Sequence, residues 1–337
     1  MRVLHLPVGR QMIEMCEALR SIGVRATSCH FRQRSVPQHP DRCLHLERLS
    51  RRERLQAREQ WLSEAVQRYD VFHFHFGQTF FEDHSDLRYL KRHGKKLIVQ
   101  HRGSDVRMLS VARTADNPHV RVKSGRRRSE EAIQRELHIL SGYIDHAIVA
   151  DHELLAYIKP YYKHIHLLRQ SVTLSKFLPA YPALSKTRPL ILHAPTHEYV
   201  KGTEYVLKAV ARLKARGFDF EFELVQDLTH EAAIARYRQA DIIIDQLLQG
   251  SCGVFSLEGM ALGKPVVCYI KDELLPTYPS GLPLISASPA NIYSTLKRLI
   301  RHPELRSRAG RAGRRYIEQY YDAVGRAREL KKIYDQL

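Results

Sequence analysis

Nowhere in the 337-residue chain do about 18 apolar residues run together, so no bilayer-spanning helix is encoded. The opening Met1-Arg-Val-Leu-His-Leu-Pro has one short apolar run, broken by His5 and followed by Arg10. It lacks the apolar core and small-residue cleavage site of a signal peptide. These absences predict a cytoplasmic protein that meets a membrane only at its inner face, peripherally. Cysteine is sparse: Cys16, Cys29, Cys43, Cys252 and Cys268 are odd in number and form no C-x-x-C pair. A disulfide framework or structural zinc site is thereby disfavoured, and a reducing compartment fits. Acidic residues are few, 36 against 54 Lys and Arg, for a net charge of +18. That excess speaks of anionic partners (nucleic acid, anionic lipid, phosphorylated substrates) and not of fold. No helix-turn-helix, zinc-finger or RNA-binding signature accompanies it, which argues against a nucleic-acid-binding protein. Internal repeats and low-complexity tracts are also missing.

What is present is an ordinary globular composition, 44% hydrophobic and 27% charged, at a length suited to two domains. Short β-rich runs alternate with helical patterns from end to end. Strands are predicted at Val3–Leu6, Val24–Phe31, Val71–Phe76, Lys96–His101, His146–Ala150 and His164–Leu168. A second series runs through Leu190–Ala194, Glu221–Val225, Ile242–Asp245, Pro265–Tyr269 and Leu284–Ile285. Helices are predicted between them, for example at Gln11–Ile22, Arg51–Tyr69, Tyr205–Arg216 and Asn291–Arg301. In Arg51–Tyr69 the residues Leu55, Leu62, Val66 and Tyr69 recur at helical spacing. Such alternation means βαβ units, and there are strands enough for two doubly wound parallel sheets. The pattern breaks at Leu178-Pro-Ala-Tyr-Pro-Ala, so residues 1–175 and 176–317 are the expected domains. Residues 318–337 form a final helix expected to return to the first domain. Two α/β domains imply a cleft, with ligands at the carboxyl ends of the strands.

The most informative stretch is Asp241-Ile-Ile-Ile-Asp-Gln-Leu-Leu-Gln-Gly-Ser-Cys-Gly-Val-Phe-Ser-Leu-Glu-Gly-Met-Ala-Leu-Gly-Lys-Pro-Val-Val. A buried strand runs into a loop with Gly250 and Gly253, a helix starts near Gly253 and stops at Gly263, and Pro265 begins the next strand. Glycine lets backbone amides approach a ligand, and a helix N-terminus favours an anion. The amides of Gly253, Val254 and Phe255 are thus placed for a phosphate or sugar hydroxyl. Glu258, one turn on, suits the vicinal diol of a ribose.

The segment Gly253-Val-Phe-Ser-Leu-Glu-Gly-Met-Ala-Leu-Gly-Lys-Pro-Val-Val resembles the E-x7-E signature of retaining GT-B glycosyltransferases of glycosyltransferase family 4. His193-Ala-Pro-Thr-His-Glu-Tyr-Val-Lys-Gly-Thr resembles the family's strand–loop–K-G element. Phe72-His-Phe-His-Phe-Gly and His101-Arg-Gly-Ser-Asp-Val-Arg resemble its acceptor-domain strand ends. The resemblance implies a GT-B fold, two Rossmann-like domains facing a cleft, with the donor in the C-terminal one. It implies a metal-independent enzyme needing no cofactor, whose substrate is a UDP- or GDP-linked sugar used in cell-envelope or polysaccharide synthesis. Lys201 would hold the diphosphate, and Gly9, Thr196, His197, Gly202, Gly250, Ser251, Gly253, Val254, Phe255 and Glu258 would complete the donor site. His101, Arg102 and Asp105 would join Lys201 in catalysis, facing the acceptor. Arg10, His75, Arg107, Arg126, Arg127 and Arg128 would touch a glycan, lipid-linked or anionic acceptor, or an anionic membrane surface.

The chain departs from the pattern at two places. Gly250 stands where the first Glu of E-x7-E belongs, leaving the donor sugar and activity open. Thr196 and Pro195 stand where an Arg usually precedes the lysine. In a retaining transfer negative charge builds on the leaving diphosphate, and fixed donors aimed at it usually provide the largest catalytic term. The nearest approach to a D-x-D metal motif, Asp219-Phe-Glu-Phe-Glu, alternates like the polar face of a strand. His73 and His75 share a strand face but show no third ligand, so no metal site is expected. The run Arg121-Val-Lys-Ser-Gly-Arg-Arg-Arg follows the acceptor-side motif and suits phosphate or anionic lipid. Rival readings are an epimerase of the same fold, an inactive nucleotide-sugar-binding scaffold and, more remotely, a nucleic-acid-binding protein.

Overall fold

The computed structural model describes residues 1–33, 39–114, 117–123, 125 and 129–337. The chain forms two compact units. Unit 1 comprises Met1–Val111, Lys123–Ser171 and Ala323–Leu337; unit 2 comprises Ala112–Val122 and Val172–Asp322.

Unit 1 is built on β1 (Arg2–Leu6), β2 (Arg25–His30), β3 (Arg42–Cys43), β4 (Val71–His75), β5 (Lys96–Gln100), β6 (His146–Val149) and β7 (His164–Leu167). They pair in parallel in the order β3-β2-β1-β4-β5-β6-β7. The order reverses direction between β1 and β4, the switch point where open α/β sheets leave a crevice at the strands' carboxyl ends. Strand β4 is buried along its whole length. Its period of two sends Phe72 and Phe74 to one face and His73 and His75 to the other. Register sets His5 of β1 directly beside His73. One face of the sheet is covered by the helices Arg10–Ser21 and Ala323–Tyr334, whose Met15, Leu19, Ala327, Leu330 and Tyr334 pack with Val3, Val71 and Ile98.

Unit 2 carries β8 (Leu190–His193), β9 (Glu221–Leu224), β10 (Ile242–Ile244) and β11 (Val266–Val267), all parallel, in the order β11-β10-β8-β9. Its core lies on both faces. Leu192, Ile243 and Val266 pack with Leu257, Met260 and Tyr316, while Ile191, Ile242 and Ile244 pack with Val206, Leu213, Leu296 and Leu299. The alternating isoleucines of β10 serve both sides, as a strand buried on two faces requires.

Several sequence expectations change. Leu284–Ile285 forms no strand, only a single bridge from Ile285 to Val267. Leu55 is 50% exposed, because the helix Arg51–Arg68 buries only Trp61, Leu62, Ala65 and Val66. The units divide after Ser171 and Asp322, against 175 and 317 from the sequence; there the Val172 amide donates to the Tyr321 carbonyl (2.8 Å). Residues 112–122 belong with unit 2, tied in by Asn117 Nδ2 donating to the Leu248 carbonyl (2.8 Å) and by the Arg121–Glu204 ion pair. Among the described residues no helix is long and apolar enough to cross a membrane.

Candidate functional site

In unit 2 the loops leaving β8 and β10 build one constellation. After β8 the chain makes the short helix Glu198–Lys201 and turns at Gly202, whose φ is +79°. A Cβ there would lie 2.9 Å from Leu248 Cγ, so the position requires glycine twice over. The turn delivers Lys201 Nζ to Asp245 Oδ1 and to Gln246 Oε1, both at 2.7 Å. Asp245 follows β10 directly, and its other oxygen accepts from Ser256 Oγ at 2.7 Å. Gly253 opens the helix Val254–Ala261 without any side-chain cap, leaving first-turn N–H groups for an outside acceptor. A Cβ on Gly253 would fall 2.6 Å from Asp245 Oδ2 and 3.3 Å from Lys201 Nζ. Only glycine brings this helix start so close to the lysine.

Glu258 is buried in the same helix and meets His230 Nε2 at 3.1 Å. His230 is the first residue of the helix His230–Gln239, which Thr229 caps. Ser251 is buried, with its carbonyl accepting from Gln246 Nε2, while Val254 and Phe255 are half-buried. Thr196 and His197 are exposed on the turn before Lys201. At Gly250 the departure from E-x7-E has a physical cause. Its φ is +78°, and a Cβ would lie 2.4 Å from Lys271 Cγ. Lys271 donates its amide to the Gly250 carbonyl (2.9 Å) and its ammonium to Glu273 (2.8 Å). No glutamate fits at position 250 in this backbone.

In unit 1 the strand ends at the switch point hold the other candidates. Gly9 (φ +127°) donates its amide to His30 Nε2 (3.1 Å), and Arg10 beside it pairs with Glu14 (3.0 Å). After β5, His101 Nδ1 donates to Asp105 Oδ2 (2.8 Å) and its Nε2 accepts from the Tyr162 hydroxyl (2.9 Å). Asp105 also takes the amides of Arg102 (3.0 Å) and Gly103 (2.8 Å). Burial pushes its carboxyl up, but His101 and these amides prevail and hold it below the ordinary value. Both ring nitrogens of His101 are therefore engaged. Arg107 makes a bidentate pair with Glu153 (2.6–3.1 Å), so its guanidinium is committed inside unit 1 rather than offered to a ligand. Arg126, Arg127 and Arg128 lie outside the described residues.

Among the described residues the Arg102 guanidinium hydrogen-bonds neutral groups: Gln11 (2.9 Å), Gln100 (3.1 Å) and His75 Nδ1 (3.2 Å). Burial lowers its pKa to about 10, against the raising effect of Asp105. It heads a hydrogen-bond chain whose direction follows from its always donating. His75 accepts at Nδ1, so its Nε2 carries the proton and donates to His5 Nδ1 (3.1 Å). His5 Nε2 then donates to the Tyr334 hydroxyl (2.9 Å), which donates to His73 Nδ1 (2.6 Å). Burial drives His5 down to about 3, with Arg102 acting in the same sense, and holds His73 and His75 well below the usual histidine value.

His5 is the third histidine that the sequence did not place with His73 and His75, and ligand atoms of all three lie within 4.8 Å of one another. The arrangement suits hydrogen bonding better than an ion. The rings of His73 and His75 stack 4.4 Å apart at 10°, so their in-plane lone pairs run parallel instead of converging.

The crevice at the switch point is a pocket of about 890 Å³ lined by Val8, Gly77, His101, Ser104 and Asp105 among others. His101 and Asp105 thus meet in it, whereas Gly9, Arg10, His75 and Arg102 are not in its wall. Sequence reasoning missed Asp245, Gln246, His230, Lys271 and Tyr162. Asp245 alone had a signal, a carboxylate ending a strand predicted to reach the ligand.

No family model and no curated protein matches the chain. Solved structures do. Sucrose-phosphate synthase from Thermosynechococcus elongatus superposes with a TM-score of 0.66 at 13% identity, covering 100% of this chain and 99% of that one. Anabaena HepE in complex with UDP-glucose gives 0.65 at 11% identity, with both chains covered completely. The catalytic domain of starch synthase IV from Arabidopsis thaliana, bound to ADP and acarbose, gives 0.61 at 11% identity over 99% of each chain. The order and direction of the strands and this full-length likeness establish the α/β fold of the GT-B glycosyltransferases.

Proposed function

We propose that the protein is a retaining glycosyltransferase that takes a sugar from a UDP- or GDP-linked donor, bound by unit 2, and passes it to an acceptor bound by unit 1. The observation that carries this reading is the cluster of Lys201, Asp245 and Gly253 at an uncapped helix start, with Glu258 one turn on. Two of the three ammonium hydrogens of Lys201 are taken by Asp245 and Gln246, which orients the third for a diphosphate oxygen. The amides of Gly253, Val254 and Phe255 would receive the same anion. As the bond from the anomeric carbon to the diphosphate lengthens, charge grows on the leaving oxygen and these donors stabilise it without rearranging. Glu258, steadied by His230, would accept the ribose hydroxyls. Similar structures are complexes with UDP-glucose, UDP or ADP, which supports a nucleotide-linked substrate.

Lys201 and the helix-start amides would supply the charge stabilisation that a metal would otherwise supply, so we read the transfer as metal-independent, in cell-envelope or polysaccharide synthesis. The charge of +18 supports weak electrostatic contact with anionic membrane, which would fade as salt shortens the Debye length. One observation favours a second reading, a nucleotide-sugar-binding protein without transfer: Lys271 packs where the first glutamate's side chain would stand. A panel of UDP- and GDP-sugars incubated with the protein, with and without EDTA, decides between them. The enzyme reading expects nucleoside diphosphate release that survives EDTA and a product of retained anomeric configuration by NMR. Binding without release would leave the second reading standing.

A further inference from the structure

The pocket of unit 1 holds a guanidinium with no ion pair among the described residues. Arg58, in the helix Arg51–Arg68, is half-buried in its wall, and its Nε is buried without a hydrogen-bond partner. Its guanidinium lies 5.3 Å from the ring of Phe31. Arg32 lines the same space and is exposed; neither arginine forms an ion pair among the described residues. Two of the wall's acids are already engaged. Glu136 is bonded to His84 (2.6 Å) and Asp105 to His101 (2.8 Å). Glu82, also in the wall, and nearby Asp86 attract Arg58 through space, and the Asp86 carboxylate is held by Thr79 (2.8 Å) and the amides of Phe80 and Phe81. Burial lowers the Arg58 pKa, and Arg32 and Arg54 push it the same way.

A half-buried guanidinium with no direct ion pair is incompletely compensated, and a bound anion would complete it. The same pocket has apolar wall: Phe31, Ile133, Leu137 and Leu140 are buried side chains lining it. A volume of about 890 Å³ is at the upper end of pockets for small molecules.

We propose that this pocket binds an amphiphilic anion, a phosphate, carboxylate or sulfate carried on a flat apolar body. Arg58 and Arg32 would take the charge and the Phe31–Ile133–Leu137 wall the body. Guanidinium forks suit such oxyanions bidentately. Calling this ligand the acceptor rests on the glycosyltransferase reading, since His101 and Asp105 line the same pocket. Its binding does not.

The test uses the full chain and 4-nitrophenyl phosphate as probe, with 4-nitrophenol and inorganic phosphate as its two halves, followed by calorimetry. The aryl phosphate should bind more tightly than either half. Arg58→Met should weaken it at least about tenfold, the loss of one charge-assisted hydrogen bond. Because Arg58 gives up no ion pair among the described residues and Met keeps contact with the Phe31 ring, the variant should melt close to the parent, and its affinity for UDP or GDP should be unchanged. Competition by phosphatidylglycerol vesicles would identify a lipid-borne headgroup, and its absence a soluble anion. Equal affinity in parent and Arg58→Met, or no gain of the aryl phosphate over inorganic phosphate, overturns the proposal. Failure of both UDP and GDP to bind the parent strikes the glycosyltransferase reading and leaves this one intact.

Discussion

Replacing Lys201 by Ala separates a catalytic lysine from a structural one. The side chain of Asp245 is 1% exposed and that of Lys201 16%. Removing the ammonium leaves a buried carboxylate with Ser256 as its side-chain partner. Breaking a buried pair in this way costs about 3–5 kcal/mol, and the partial exposure of Lys201 places it at about 3. The loss of a donor aimed at developing charge should lower turnover by about 10²–10³. Both effects reduce activity in a crude assay. The double variant Lys201→Ala/Asp245→Asn resolves them, because a neutral amide in place of the orphan carboxylate should recover about 2 kcal/mol of the loss. Urea unfolding and single-turnover release of nucleoside diphosphate should therefore diverge. Stability should return toward the parent, and turnover should stay down about a hundredfold. Turnover that recovers along with stability would refute the catalytic role.

Glu258→Ala should weaken nucleotide binding about tenfold in a titration while leaving kcat nearly unchanged, since ribose contacts are equal in ground and transition states. Gly250→Glu, which restores the first glutamate of E-x7-E, should not raise activity. With φ at +78° and Lys271 Cγ 2.4 Å from the new Cβ, it should destabilise by at least about 2 kcal/mol, visible as a lower Tm. The buried histidines make stability depend on pH. His5, His73 and His75 have folded pKa values below the unfolded value of 6.5, so the unfolded chain takes up protons first on acidification. Their contribution is complete above about pH 6.5 and is lost as pH falls below it, at up to about 1.4 kcal/mol per pH unit for each. Urea midpoints at pH 7.5 and 5.5 should differ strongly, and a flat profile would contradict the neutral chain from Arg102 to His73.

Much of unit 2's site was legible because glycine and proline punctuate it. Gly253, Gly263 and Pro265 mark a helix start, its stop and a strand start, and the helix lies at Val254–Ala261 with its strand at Val266–Val267. The apolar runs of β8 and β10 were equally plain, since strands buried on both faces need them. What stayed hidden depends on distant pairings. Asp245 meets Lys201 from 44 residues away, and no local pattern announces it. His5 joins His73 through strand register across 68 positions, and Tyr334 reaches them from the last helix. Arg107, in the loop after β5, finds Glu153 on the helix His152–Ile158, so its place at a strand end suggested a ligand contact that the ion pair pre-empts. Residues 112–122 carry no break in composition, yet Asn117 and Arg121 fasten them to unit 2. β3 spans only two residues, too short for any periodicity.

The central claim is that a nucleoside diphosphate binds between the turn ending at Gly202 and the helix starting at Val254. Amide hydrogen exchange with and without saturating UDP or GDP tests it most directly, because the claimed ligands are backbone N–H groups. The account predicts slower exchange at residues 196–203 and 250–258 with one of the two nucleotides, and weaker protection in Glu258→Ala at a nucleotide concentration that just saturates the parent. Protection confined to other segments, or none with either nucleotide at millimolar concentration, would contradict it.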